Sequence, residues 1–316
     1  MGILEIRNLT VGYGDKNVVK NCSFELSQGE IIVILGSSGD GKTTLLKTIA
    51  GLLPKVSGDV YFEEKPVLGP NQKLVPGHPK IKLVNQDFNL DEYHTVEENL
   101  RLRLLSFDRP YQNSRINQLL RLTGLTPFKS AKAKDLSGGQ RQRLAISRAL
   151  ADEPELILLD EPFNQLDFHT KNKIAAHVKS YLKKNKIGAI MVTHNGIEAL
   201  EWADKIIHLR KGVIVRIDSP SLFYNHPHSL SEALFFGDVN LCEVEGKKLY
   251  FRPTEFSLKK DDVHPLGVEV DFVEKVDLGW YGAYYFKAAK RKIVLYATED
   301  ISTTQLIFPK FLSFND

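Results

Sequence analysis

The sequence is short of long apolar runs, cysteine and net charge, and each shortage narrows the class of protein. No window of the 316 residues reaches the roughly 18 apolar residues of a membrane span. The first residues, MGILEIRNLT, lack a basic segment followed by a long apolar stretch, which argues against a signal peptide. Cys22 and Cys242 match no metal-binding spacing and are predicted to be core thiols in a reducing compartment. A net charge of +3 is too slight to indicate a nucleic acid or an anionic membrane surface as partner. We therefore expect a cytoplasmic protein, and an association with a membrane protein is compatible with these features.

The segment GSSGDGKTT at 36–44 lies between two apolar runs, at 31–35 and 45–50. It satisfies the pattern G-x-x-x-x-G-K-[ST] without a mismatch and predicts a phosphate-binding loop between a buried strand and a helix. The predicted nucleotide-binding residues here are Gly36, Ser37, Ser38, Gly39, Asp40, Gly41, Lys42, Thr43 and Thr44. Lys42 would reach the β- and γ-phosphates, and the Thr43 hydroxyl would ligate Mg²⁺. The alternative, a glycine-rich turn with a chance lysine, leaves the flanking strand and helix patterns unexplained.

Asp40 is the unusual residue of this loop, because a small neutral side chain suits bound phosphate better. The residue is tolerable if its side chain faces away, since the loop would bind mainly through backbone N–H groups.

A second glycine turn opens a helix further along the chain. Its residues are Ser137, Gly138, Gly139 and Gln140, and RQRLAISRALADEP follows with apolar residues at helical spacing. Ser137 is a good N-cap, and the N-terminus of a helix is a second anion-binding geometry. The simpler alternative is a capped helix without a ligand.

Several polar residues follow apolar strands, at the edge where ligands gather in open α/β sheets. Gln86 could ligate Mg²⁺ and position water; Asp160 can hold Mg²⁺; Glu161 can act as the general base; His194 is a further site candidate. Tyr13, in a turn near the N-terminus, could stack on a purine. Each of these residues taken singly is ordinary: a solvated strand end, a structural histidine or a plain turn aromatic.

The composition changes after Gly237. Short strands rich in aromatic and β-branched residues are predicted at 241–257, 268–276 and 282–297, with a last strand within 302–316. At 316 residues two domains are the default expectation. We predict an α/β domain at 1–235 with a helical subdomain at about 87–150, and a small all-β domain at 238–316. Helices are predicted at about 95–106, 112–124 and 168–185.

These residues, in this order, resemble the ATP-binding subunit of a bacterial ABC transporter. The matching elements are the aromatic A-loop at Tyr13, Walker A at 36–44, the Q-loop at Gln86, the signature LSGGQ at 136–140, Walker B with its glutamate at 156–161, the D-loop at 164–167 and the H-loop at His194. The resemblance covers about 1–235 and implies a P-loop NTPase fold of the ABC type. Residues 238–316 resemble, more weakly, the C-terminal OB/TOBE-like regulatory barrel of importer ATPases, through Phe251-Arg252-Pro253-Thr254-Glu255 and the hairpin after Phe272.

The resemblance implies a subunit that hydrolyses ATP with Mg²⁺ at the inner face of the plasma membrane. Two subunits, expected as a homodimer, would sandwich two ATP molecules head to tail, with Ser137 and Gly139 donating to the γ-phosphate across the interface. Glu161 would orient water, His194 would bind the γ-phosphate, and Gln86 would relay the state of the site to membrane permease subunits. A periplasmic substrate-binding protein is a further implied partner, and no nucleic acid is expected.

Three positions depart from the family pattern. The stretch at 90–94 is acidic and polar where the permease normally docks, Asn164 replaces a usual serine in the D-loop, and Asp40 was noted above. The alternatives to an importer subunit are an exporter-type subunit and a soluble ABC ATPase. The interval from Lys42 to Leu136 is 94 residues, too short for the long coiled coil of the chromosome-maintenance and repair ATPases. Residues 238–316 distinguish import from export, because a regulatory barrel there favours import.

Overall fold

The computed structural model describes residues 2–14, 16–85 and 87–314. The chain divides into two compact units. The first comprises Met1–His194 with Glu198–Ser219, and the second comprises Asn195–Ile197 with Pro220–Asp316. Within the described ranges, no helix has both the length and the apolar character needed to cross a membrane.

The first unit contains two sheets. Its strands are β1 (Gly2–Tyr13), β2 (Lys16–Ser27), β3 (Ile31–Leu35), β4 (Ser57–Phe62), β5 (Lys65–Pro66), β6 (Ile81–Val84), β7 (Leu156–Asp160), β8 (Gly188–Thr193), β9 (Lys205–Arg210) and β10 (Val213–Asp218). An antiparallel sheet has the order β2-β1-β4-β5, and a six-stranded sheet has the order β10-β9-β3-β8-β7-β6. In the larger sheet only the β9–β10 pair is antiparallel. The central strands β3, β7 and β8 are buried along their whole length, as their unbroken apolar sequences predict.

The helix after the phosphate loop, α1 (Lys42–Ile49), joins these two sheets into one core. Leu45, Leu46 and Ile49 are completely buried in a cluster with side chains from both sheets. Burial of a side chain of this size contributes about 1.5–3 kcal/mol, so the helix is firmly anchored behind the loop.

A helical region lies between β6 and β7. It contains α2 (Val96–Arg101), α3 (Arg109–Leu122), short 3₁₀ turns at Thr126–Phe128 and Ala133–Asp135, and α4 (Gly138–Ala151). Side-chain oxygens cap all three helices, from Thr95, Asp108 and Ser137. The helix predicted at 95–106 ends at Arg101, because after the Leu102 cap the amides of Arg103 and Leu104 bond back by only three residues, to Leu100 and to Arg101. Two more helices follow β7 and β8: α5 (Phe168–Lys184) and α6 (Gly196–Trp202).

The second unit combines two short helices with two sheets. Its elements are α7 (Pro220–Asn225), α8 (Leu230–Phe235), β11 (Asn240–Val244), β12 (Lys247–Ser257), β13 (Val268–Glu269), β14 (Asp271–Asp277), β15 (Gly282–Ala288), β16 (Arg291–Ala297) and β17 (Leu306–Phe311). The sheets have the orders β11-β12-β17-β13 and β14-β15-β16, and they enclose a core that contains Phe251, Tyr284 and Phe286. The all-β region expected after Gly237 is therefore present, and its last strand lies within the predicted 302–316.

The sequence patterns did not predict α6, α7 or α8. The last two belong to the strand-rich unit, because the buried Arg252 donates to the Tyr224 and Ala233 carbonyls and stacks on the Tyr224 ring at 4.0 Å. The domain limits predicted at 235 and 238 stay a prediction, and the compact units divide the chain earlier. Cys22 and Cys242 are free and buried, as expected of core thiols, and burial raises the pKa of Cys242 to about 11.

Candidate functional site

Three parallel strands bring the predicted site residues to one sheet edge. In the sheet, β3 lies beside β8 and β8 beside β7. Leu35 is in register with Thr193, and Asp160 is in register with Val192. The residues that follow these strands, Gly36, Glu161 and His194, therefore emerge at the same carboxyl edge.

The phosphate loop has an exposed rim and a buried base. Ser37, Ser38 and Gly39 are exposed, whereas Lys42 is only 6% exposed. The Lys42 Nζ donates to the Gly36 and Ser37 carbonyls, both at 2.8 Å. Burial lowers the pKa of this ammonium, although the nearby Glu161, Asp40 and Asp160 carboxylates partly oppose that shift. The loop thus keeps a cation at its centre, held on its own backbone.

Gly41 fixes the point where this loop turns into α1. Its φ of 95° lies in the region that favours glycine, and a Cβ there would come within 3.1 Å of the Val18 carbonyl. The start of β2 consequently packs directly against the phosphate loop. Tyr13 is 54% exposed; it is the last residue of β1 and pairs with Lys16, the first residue of β2.

Asp40 uses both carboxylate oxygens within the protein. Its Oδ2 accepts from the Ser37 N–H at 2.6 Å, and its Oδ1 accepts from the Lys211 N–H at 2.8 Å. The Gly212 N–H also donates to the Asp40 carbonyl at 3.1 Å. The residue is 9% exposed, so the unusual carboxylate connects the loop to the β9–β10 turn.

Asp160 ends β7 in a buried position beside Thr43. Burial raises the pKa of its carboxyl group, while a hydrogen bond with the Thr43 side chain lowers it in part. The Oδ1 atom is buried and has no hydrogen-bond partner among the described residues. A buried carboxylate oxygen left without a partner beside a hydroxyl matches the oxygen donors that Mg²⁺ prefers. These residues therefore fit a magnesium ion that would complete its coordination with phosphate oxygens and water.

Glu161 is surrounded by potential partners for a general base. His194 Nδ1 lies 3.1 Å from Glu161 Oε1, and the Asn164 side-chain amide donates to Glu161 Oε2. Glu161 has a φ of 48°, an uncommon value for a residue other than glycine. The His194 side chain is 58% exposed, so it can face a ligand at the edge of the sheet.

The signature residues occupy a separate recess of about 290 Å³ that the phosphate loop does not line, as far as the chain is described. The Ser137 hydroxyl accepts from Gln140 N at 3.3 Å, and Gln140 Oε1 accepts from Ser137 N at 2.9 Å. Since a hydroxyl both accepts and donates, the Ser137 proton remains available to a ligand. At Gly139 a Cβ would lie 2.8 Å from the Gln165 carbonyl, so the turn packs closely on the segment 164–167.

Gln142 joins this recess to the edge of the main sheet. Its side-chain amide donates to the Glu161 carbonyl at 3.1 Å and accepts from Gln165 N at 3.2 Å. The residue is only 4% exposed. One buried amide thus couples the helix of the signature turn to the residue after Asp160.

Comparison with known proteins decides the family. The model of a family described as "ABC transporter" matches residues 19–164. An Fe(3+) ions import ATP-binding protein of Haemophilus influenzae is 38% identical over 289 residues, which cover 83% of this chain and 81% of that protein. A spermidine/putrescine import ATP-binding protein of Spiroplasma citri is 32% identical, with 95% of this chain and 92% of that protein covered. The chain belongs to the ABC transporter family.

A solved ATP-binding cassette shares the fold of about two thirds of this ABC transporter chain. It is a dimeric cassette in a post-hydrolysis state bound to ADP and Pi, with a TM-score of 0.62 and 30% identity. The match covers 69% of this chain and 98% of that cassette. The P-loop ATPase fold with a helical subdomain is therefore confirmed, and the chain is an ABC ATPase.

The structure of this ABC ATPase groups the predicted residues into two places. Residues 36–44, Asp160, Glu161 and His194 share one sheet edge, and Ser137–Gln140 lie in the recess beside 165–167. Gln86 lies outside the described residues. Sequence reasoning missed Gln142 and the Lys211 contact of Asp40. Gln142 lies within the run RQRLAISRALADEP that follows the signature turn, but no pattern in the sequence marks its contacts or the contact of Lys211 with Asp40.

Proposed function

We propose that this chain is the subunit that binds and hydrolyses ATP to power substrate import through a membrane permease. The observation that carries the proposal is the meeting of Lys42, Asp160, Glu161 and His194 at the carboxyl edge of one parallel sheet. A polyphosphate, a metal and an attacking water need a cation, a carboxylate and a general base within reach of one another.

Each residue has a chemical role in this proposal. The loop amides and Lys42 bind the β- and γ-phosphates, and Lys42 leaves its loop carbonyls to do so. Thr43 and Asp160 would hold Mg²⁺, which supplies charge neutralisation at the phosphates when bound. Glu161 accepts the proton of the attacking water, and His194 orients that carboxylate and contacts the γ-phosphate. Asn164 holds the second oxygen of Glu161, which limits the rotation of the carboxylate.

A complete site requires two chains in this proposal. The recess at Ser137 presents a helix N-terminus and a hydroxyl, a geometry that suits an anion. The carboxylate among its described lining residues, Asp167, already accepts from the Thr170 N–H as the cap of α5. In a head-to-tail homodimer this turn would cover the γ-phosphate held by the other subunit. ATP then favours the closed dimer because it has contacts there that the open form lacks, and hydrolysis removes them.

The partners proposed are permease subunits at the inner face of the plasma membrane and, for an importer, a periplasmic substrate-binding protein. The relatives named above are import ATP-binding proteins, which favours import over export. Their printed substrates, Fe(3+) ions and spermidine or putrescine, differ from each other, so the cargo is left unassigned.

Two experiments test this proposal. Lys42→Ala should abolish ATP binding, whereas Lys55→Ala, at an exposed surface lysine, should leave it unchanged. Tagged chain purified from detergent-solubilised membranes should bring a multi-span permease with it. Full ATP affinity in Lys42→Ala would remove the phosphate-loop assignment. Recovery of ribosomal or scaffold proteins without a permease would retain the ATPase chemistry and overturn the transport role.

A further inference from the structure

The second unit contains a cavity that ATP hydrolysis does not use. Its volume is about 580 Å³, within the range of small-molecule sites. The residues that line it come from β12 and the residue after it, from the β14–β15 turn and from the end of β16 with the residues that follow. They are Thr254, Phe256, Leu258, Trp280, Tyr281, Tyr296, Ala297, Thr298, Glu299 and Ile301.

Three aromatic rings in this lining form a continuous edge-to-face chain. The centroids of Trp280 and Tyr281 are 4.7 Å apart at 68°, and those of Tyr281 and Tyr296 are 5.5 Å apart at 70°. Contacts of this type turn the faces of successive rings in different directions. We name Trp280, Tyr281 and Tyr296 the aromatic cluster.

The backbone and one hydrogen bond hold the cluster in place. The Leu278 N–H donates to the Tyr281 carbonyl at 3.0 Å and closes the turn that carries Trp280. The Tyr296 hydroxyl donates to Asp238 Oδ2 at 2.6 Å, and this bond raises the pKa of the tyrosine. Trp280 nevertheless remains 81% exposed, an unusual cost for the largest aromatic side chain. The cluster therefore combines a tyrosine held by a hydrogen bond with an exposed indole face that a ligand can reach.

Negative charge accompanies these rings. Glu299 is the one charged residue among the described residues that line the cavity. A second carboxylate, that of Asp238, accepts a hydrogen bond from the Tyr296 hydroxyl. The neighbouring Asp300 interacts electrostatically with Lys275, so its charge is partly balanced. Aromatic faces and a carboxylate both attract cations, whereas they repel anions and give neutral apolar molecules no electrostatic gain.

We propose that this cavity binds a small organic cation that carries an alkylated ammonium group. The ammonium would lie against the aromatic cluster, with Glu299 as its counter-charge, and the alkyl groups would contact Phe256, Leu258 and Ile301. The proposal goes beyond transport and does not depend on it, because all of these residues belong to the second unit.

Choline and tetramethylammonium are the probes for the test, titrated into the full chain without nucleotide. The sequence has two tryptophans, and the other one, Trp202, is buried, so a change in exposed tryptophan emission reports on Trp280. Calorimetry gives the affinity independently. We expect saturable binding with a Kd below about 1 mM. The uncharged carbon isostere of choline, dimethylbutanol, should bind at least about fivefold more weakly.

Variants assign the binding to this cavity. Trp280→Ala removes an exposed ring and should not disturb folding, and it should weaken choline binding at least about fivefold. Glu299→Gln should weaken it to a similar extent, whereas Glu245→Gln, at an exposed turn of the same unit, should have no effect. Equal binding of dimethylbutanol, full choline affinity in Trp280→Ala, or no saturable binding would each overturn the proposal. Concentration-dependent self-association that buries Trp280 and excludes choline would assign the cavity to a second copy instead.

Discussion

Replacing Asp40 by asparagine should destabilise the first unit even without nucleotide. The carboxylate accepts two backbone hydrogen bonds, from Ser37 at 2.6 Å and from Lys211 at 2.8 Å. Asparagine retains one acceptor oxygen and places an NH₂ group opposite the other N–H, so one of these two partly buried backbone N–H groups loses its acceptor. A hydrogen bond to a charged group contributes about 1.5–3 kcal/mol, and we therefore expect a loss of about 2–3 kcal/mol. For a unit of this size, that corresponds to a decrease in Tm of about 5–10 °C.

Thermal unfolding of the full chain, followed by circular dichroism and by emission of the buried Trp202, measures this decrease. Asp59→Asn is the matched control, because Asp59 forms an exposed ion pair with Lys55 worth at most about 1 kcal/mol. If the Asp40 variant and the control both have the Tm of the native chain, the Asp40 carboxylate does not stabilise the contact between the loop and the β9–β10 turn. The two hydrogen bonds that the Asp40 carboxylate accepts would then contribute nothing to the free energy of unfolding.

Three further substitutions test the site at the sheet edge. Asp160→Asn should abolish hydrolysis and should raise the Tm of the nucleotide-free chain by a few degrees. Burial raises the pKa of this carboxyl group, so its stabilising contribution is present at low pH and is lost as the pH rises through the folded pKa. Thermal unfolding at neutral and at acidic pH measures the Tm difference and its pH dependence. Asn164→Ala should lower kcat by about tenfold at unchanged ATP affinity, since it frees one oxygen of Glu161, and steady-state kinetics would contradict this by an unchanged kcat. Gln142→Ala should cost about 1–3 kcal/mol in unfolding free energy, because the Gln165 N–H loses its buried acceptor, and chemical denaturation checks this value.

The strand ends at the candidate site were predictable because their signals are local. Each of β3, β7 and β8 is a short apolar run, followed by the phosphate loop, by Glu161 and by His194 respectively, and parallel pairing then places those residues at one edge. The Ser137 cap was predictable for the same reason, since capping depends on residues three positions apart. The hairpin of β9 and β10 and the strands after Gly237 likewise follow from alternating and turn residues.

The remaining features depend on contacts between distant residues. The bond from Lys211 to Asp40 spans 171 positions, and the bond from Gln142 to Glu161 joins a helix to a strand end. No local pattern encodes either contact. The short helix α8 was not predicted either, although its Ser229 cap accepts from Glu232 N, only three positions along the chain. A six-residue helix gives too few apolar repeats for periodicity to detect it.

The position of Gln142 suggests how the signature turn is coupled to the general base of the same chain. Its side-chain amide donates to the carbonyl of Glu161 and accepts from the N–H of Gln165, so a movement of the signature helix would displace the backbone from the general base to Gln165. Asn164, between those two contacts, holds the carboxylate itself. A phosphate engaged at Ser137 would therefore affect the geometry of Glu161 in the same chain, although that glutamate serves a different nucleotide in the proposed dimer. Asn164, which stands where a serine is usual, lies within this connection and contacts the general base directly.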